Sequence, residues 1–107
     1  ECVGHLKRAL EQVDMLICPS MAGPPYPITP EELYGPITKE RPPKFQRFTA
    51  PFNFSGTPTL CLPCGFNDEG LPLSLQLAGN HLSESLLCRV GHAFEAATNW
   101  HKSHPQI

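Results

Sequence analysis

Thr59-Leu60-Cys61-Leu62-Pro63-Cys64-Gly65-Phe66 and Leu71-Pro72-Leu73-Ser74-Leu75-Gln76-Leu77-Ala78 flank the four residues Asn67-Asp68-Glu69-Gly70, and the fold is decided there. Leu71, Leu73, Leu75 and Leu77 alternate with Pro72, Ser74, Gln76 and Ala78, the period of two that sends alternate side chains to opposite faces of a strand. Asn, Asp and Gly between the two runs supply turn chemistry. The pattern predicts an antiparallel hairpin with strands over 59–66 and 71–78 and one leucine face. A lone hairpin is marginal in water, so that face needs a cover.

Downstream, Ser83 suits a helix N-cap and Glu84 the first turn. Leu86, Leu87, Val90, Phe94 and Ala97 form an apolar stripe at helical spacing, which predicts a helix over about 84–98 stopped at Asn99. Trp100–Ile107 reads as a polar tail. Upstream, Val3, Leu6, Leu10 and Val13 predict a helix over 3–13. Met15-Leu16-Ile17-Cys18 then reads as a strand buried on both faces, as in a parallel sheet, ending at Pro19. The chain starts Glu1-Cys2-Val3, inside a helical pattern and without Met, so the expectation is that an upstream part is missing.

Between these pieces, residues 19–43 hold eight of the thirteen prolines, which favours loop or polyproline II. Thr29-Pro30-Glu31-Glu32-Leu33 has the cap and the N-terminal proline of one short helical turn. A loop of this length would wrap a larger body. Phe45, Phe48, Phe52 and Phe54 follow in a segment broken by Pro51, Gly56 and Pro58. They are core or the lining of an apolar channel, with core preferred.

Composition excludes several classes. Eight Lys/Arg against ten Asp/Glu leave a formal charge of −2, no field for gathering phosphates, so no nucleic acid is expected. No apolar run approaches the roughly 20 residues that cross a bilayer, so no membrane is expected either. The five cysteines cannot all pair, and their spread over apolar segments reads as reduced thiols in a cytoplasmic protein.

Cys61-Leu62-Pro63-Cys64 is a lone C-x-x-C. Structural thiols, a redox pair or half a zinc site all fit it, in that order. The helix that lowers a redox thiol's pKa does not follow, and His81, His92, His101 and His104 lack zinc-ligand spacing. There is no G-x-S-x-G elbow, phosphate loop or dinucleotide fingerprint. No catalytic residue, metal ligand or cofactor site emerges.

Residues 48–66 and 70–98, together with Val13–Ser20 and Trp100-His101, nevertheless form a joint pattern. It runs N-x-x-G-x-P from Asn53 to Pro58, then Leu62-Pro63-Cys64-Gly65-Phe66, then G-L-P-L-x-L-Q-L-x-G from Gly70 to Gly79 and a final helix. This pattern resembles the amidase signature family. It covers nearly the whole chain, best over 45–107 and least over 21–44.

The resemblance implies an α/β fold: the C-terminal fragment of an α/β/α sandwich around a mixed sheet, with residues 1–107 as the C-terminal part of one amidase domain. It implies hydrolysis of amide C–N bonds by a serine, a second serine in a cis peptide, and a lysine. Those lie in a Gly/Ser-rich region that has no match here, so this chain is expected to be inactive alone. Its partners would be the rest of the same domain and a small-molecule amide substrate, with no cofactor and no metal. Thr49, Ala50 and Asn53 are the pocket-wall candidates, Asn53 having the alternative of tying down a turn. In the glutamine-using amidotransferase branch, the residue three before the matched Thr49 is an aspartate that binds the substrate's amino group. Gln46 stands there, and a neutral amide cannot pair an ammonium, so a stand-alone amidase is preferred. The competing expectation is a free-standing module that binds a partner through its Pro/Phe-rich surface.

Overall fold

The computed structural model describes residues 2–25, 27–35 and 46–104. Expectations for Phe45, for residues 36–43 and for the chain's last three residues lie outside them. The elements are α1 (Cys2–Leu10), β1 (Met15–Pro19), α2 (Pro30–Leu33), α3 (Ala50–Ser55), β2 (Thr59–Phe66), β3 (Pro72–Gly79), α4 (Glu84–Ala97) and a 3-10 turn at Trp100–Lys102.

β2 and β3 form the expected hairpin. Asn67 Oδ1 accepts the N–H groups of Glu69 (3.1 Å) and Leu71 (2.7 Å). Gly70 turns the chain at φ +78, a conformation glycine adopts without a Cβ penalty. Register shifts between Pro63 and Gly65, so Cys64 is the extra residue of a β-bulge. Pro63, which has no N–H to give, sits on an edge strand where its loss is tolerated.

β3 is the centre of the sheet, in the order β1-β3-β2. Both pairings are antiparallel, with Ile17 and Leu60 opposite Leu77, and Cys18 and Cys61 opposite Gln76. The α/β fold with its hairpin and following helix is therefore present, and among the described residues the sheet is antiparallel rather than mixed. β1 is also not buried on both faces. Among the described residues it is an edge strand, and its Ile17 is 68% exposed.

α4 covers the leucine face. Leu62, Leu77 and Leu87 are buried together, with Met15, Leu60, Leu75, Val90 and Phe94 packed around them. Burying each such leucine contributes about 1.5–3 kcal/mol. Gly91 of α4 packs directly against the Leu60 and Leu62 side chains of β2. On the opposite face Gln76 bonds to the backbone at Phe48, which brings the start of α3 onto the sheet, and α3 contacts α1. Helical segments thus lie on both sides.

Local details depart from expectation. α1 stops at Leu10 rather than residue 13. Ser83 does not cap α4 through its side chain; its hydroxyl donates to Asn80 O at 2.6 Å. The tail after Asn99 is not merely polar: Trp100 meets Phe66 edge-on, centroids 6.1 Å apart. α2 forms where Thr29 and Pro30 place it, with Thr29 N–H donating to Glu32 Oε2 at 3.1 Å.

Candidate functional site

α3 and the turn before it carry the pocket-wall candidates. Thr49 and Ala50 both donate their N–H groups to Gln46 O, at 3.1 and 2.9 Å, and Asn53 donates to Thr49 O at 3.1 Å. The Thr49 hydroxyl also reaches Gln46 O, at 3.3 Å. Pro51 lies in the first turn of α3, where no N–H is needed. Gly56 ends the helix at φ +67, a left-handed C-cap. Phe52 is buried, anchoring the helix, while Asn53 and Phe54 face outward.

Thr49 and Ala50 are half-buried neighbours, with Asn53 one turn along and exposed. The turn after α3 is tied by Ser55 and Thr57, whose hydroxyls are 2.6 Å apart. Among the described residues the Asn53 amide has no hydrogen-bond partner, so it does not tie that turn. The Arg47 guanidinium lies 4.9 Å from the Phe48 ring centre, a cation–π contact.

Behind this wall is a residue that the alternation pattern sets on the face opposite the leucines. Gln76 is 4% exposed. Its Nε2 donates to Phe48 O at 2.9 Å and to Cys18 Sγ at 3.4 Å, and Cys61 Sγ donates to its Oε1 at 3.9 Å. A buried amide that satisfies both ends in this way is held in one orientation. A polar residue among leucines was the available signal, but alternation alone does not distinguish a solvated face from a second covered one.

A concavity lies beside β1 and β3. It has a volume of about 850 Å³ and is lined by Ile17, Met21, Ile28, Cys64, Leu73 and Leu75, among others. Thr49, Ala50 and Asn53 do not line it. The wall candidates and the apolar hollow are separate features.

Among the described residues no two thiols are bonded to each other. Cys18, Cys61, Cys64 and Cys88 are free. Cys61 and Cys64 lie on one strand and not at a helix N-terminus. Cys18 and Cys61 flank Gln76 on opposite neighbouring strands, about 9–10 Å apart by strand spacing and beyond disulfide reach. Among the described residues no three His, Cys, Asp or Glu side chains converge as a metal site would require. No helix there is long and apolar enough to cross a membrane.

The layered helices, the hairpin and the Asn53-to-Gly79 pattern converge on one relationship. The family model for Amidase matches residues 2–88, and the chain belongs to that family. It is 42% identical over 103 residues to a glutamyl-tRNA(Gln) amidotransferase subunit from Cyanothece sp. (strain PCC 7425 / ATCC 29141), covering 92% of this chain and 20% of that protein. It is 41% identical over 101 residues to the corresponding protein of Nostoc punctiforme, covering 94% and 20%. A solved 6-aminohexanoate cyclic dimer hydrolase superimposes with a TM-score of 0.74 at 28% identity, covering 97% of this chain and 23% of the hydrolase. The chain spans about a fifth of the length of the curated relatives it matches.

Proposed function

We propose that this chain is the C-terminal part of an amidase domain that hydrolyses amide C–N bonds, and that it supplies sheet strands and one wall of the substrate pocket. The observation that carries this reading is the superposition of nearly the whole chain on a fraction of a hydrolase, joined to membership of the Amidase family. A serine nucleophile, a serine in a cis peptide and a lysine, all outside these residues, would perform the chemistry through an acyl-enzyme. Thr49, Ala50 and Asn53 would face the substrate. The strands described here would join further strands to complete a mixed sheet.

The exposed surface supports a larger whole. The accessible area is 8161 Å², against about 5,900 Å² for a folded monomer of this mass. Ile17, Ile28, Phe54 and Leu82 are each more than half exposed. Apolar surface of that kind belongs at an interface or inside a bigger domain.

Between a hydrolase and a glutamine-using amidotransferase, Gln46 favours the hydrolase. Its side chain is exposed at the start of the wall, and it carries no charge to pair with an ammonium group. The test is ammonia release by the complete amidase domain, with a short aliphatic amide and with glutamine. Turnover of the aliphatic amide, lost on Thr49→Trp, is expected. Turnover of glutamine alone would overturn the hydrolase reading, and no turnover of either would overturn the amidase reading.

A further inference from the structure

We propose that Gln76 is a positioning residue for the pocket wall: its amide, held between two thiols, fixes the turn at residues 46–49 through the Phe48 carbonyl. This rests on Thr49 and Ala50 being that wall.

Gln76 sits on the central strand with Cys18 and Cys61 directly opposite on its two neighbours. At 4% exposure a leucine would pack there without any desolvation cost, whereas an amide has to find partners for both ends. Each end has one. The Cys61 thiol donates to Oε1, Nε2 reaches Cys18 Sγ, and the remaining N–H points at Phe48 O, 2.9 Å away. Rotating the amide by half a turn would set oxygen against oxygen at Phe48, so the network itself assigns the orientation. The thiols restrain the amide from both sides, and the amide restrains the turn.

Among the described residues the other hydrogen bonds of residues 46–57 are local. Thr49 and Ala50 close on Gln46, Asn53 on Thr49, and Ser55 on Phe52 and Thr57. They shape the turn and the helix without saying where either sits on the sheet. The bond from Gln76 crosses from β3 to that segment and sets the position. A space-filling role would not require the amide's direction.

The experiment compares hydrogen exchange in the complete amidase domain for wild type, Gln76→Met and Gln76→Glu. Met keeps the volume and removes the donor. It is expected to speed exchange at the Thr49, Ala50 and Asn53 amides about five- to tenfold relative to Leu77. Glu can donate to Phe48 O only while protonated, so its wall amides should be protected at low pH and lose protection as pH rises, relative to wild type at each pH. Unchanged exchange in the Met variant, or a Glu variant without pH dependence, would overturn the proposal. The Glu variant at low pH keeps the test decisive if Met fails to fold.

In the complete domain acting on the short aliphatic amide, Gln76→Met should raise KM about fivefold with kcat changed less than about twofold. Equal loss of kcat and kcat/KM would overturn a positioning role. Failure of the wall itself looks different: Thr49→Ala would leave KM untouched while the exchange pattern persisted.

Discussion

Gly91 of α4 faces Leu60 of β2 so closely that a Cβ at position 91 would stand 2.6 Å from Leu60 Cδ2. The helix rests there on the Leu60 and Leu62 side chains and contributes no side chain of its own. A β-branched residue would have to displace Leu60 and lift α4 from Leu62, whose methyl carbons would be 3.6 Å from the new Cβ. Gly91→Val should therefore destabilise the α4–sheet layer by about 1–3 kcal/mol. Native-state hydrogen exchange at the Leu77 and Leu87 amides measures it, and unchanged rates would contradict the packing described.

Leu82 offers the opposite case. It adopts φ +63, a left-handed conformation that costs a non-glycine residue about 1–2 kcal/mol, and it is 91% exposed. No burial offsets that strain. Leu82→Gly relieves it at the expense of a freer unfolded chain. The expected net effect is a stabilisation of about 0.5 kcal/mol, read as slower exchange at the first turn of α4.

At the hairpin, one side chain holds the turn. Removing the Asn67 carbonyl in Asn67→Ala deprives the Glu69 and Leu71 N–H groups of their acceptor and should cost about 1–2 kcal/mol. Asn67→Asp keeps an oxygen acceptor and should stay near wild type. Equal losses in the two variants, measured at the β2 and β3 amides, would show that the oxygen is not what matters.

The hairpin and α4 were legible because their signals are local. Leu73, Leu75 and Leu77 alternate over consecutive residues, and Leu87, Val90 and Phe94 recur at the period of a helix. The position of β1 was not legible, since Met15–Cys18 is equally apolar at an edge or in a sheet centre. α3 was hidden because Pro51 and Gly56 read as breaks, whereas in a six-residue helix they are its first turn and its cap. The Trp100 contact depends on Phe66, far away in the chain. For the candidate site, Thr49 and Ala50 came from the resemblance, and the structure shows the turn that carries them. Gln76 was missed because its partners Cys18, Phe48 and Cys61 come from three separate segments, and no periodicity encodes such a meeting.

The strand order carries a consequence in time. β2 and β3 are joined by a short turn, but β1 precedes both and pairs with the strand made last. The hairpin can close on the microsecond scale, whereas β1 must wait for β3 and then close the long segment that begins at Ser20. Doubling such a loop costs only about 0.6 kcal/mol. Insertions in the proline-rich stretch should thus leave the finished sheet nearly as stable while prolonging the interval in which one side of β3 is bare. Pulse-labelled exchange should find the Leu75 amide region ordered before Leu16, and that interval is when a newly made chain is most open to pairing with the wrong strand.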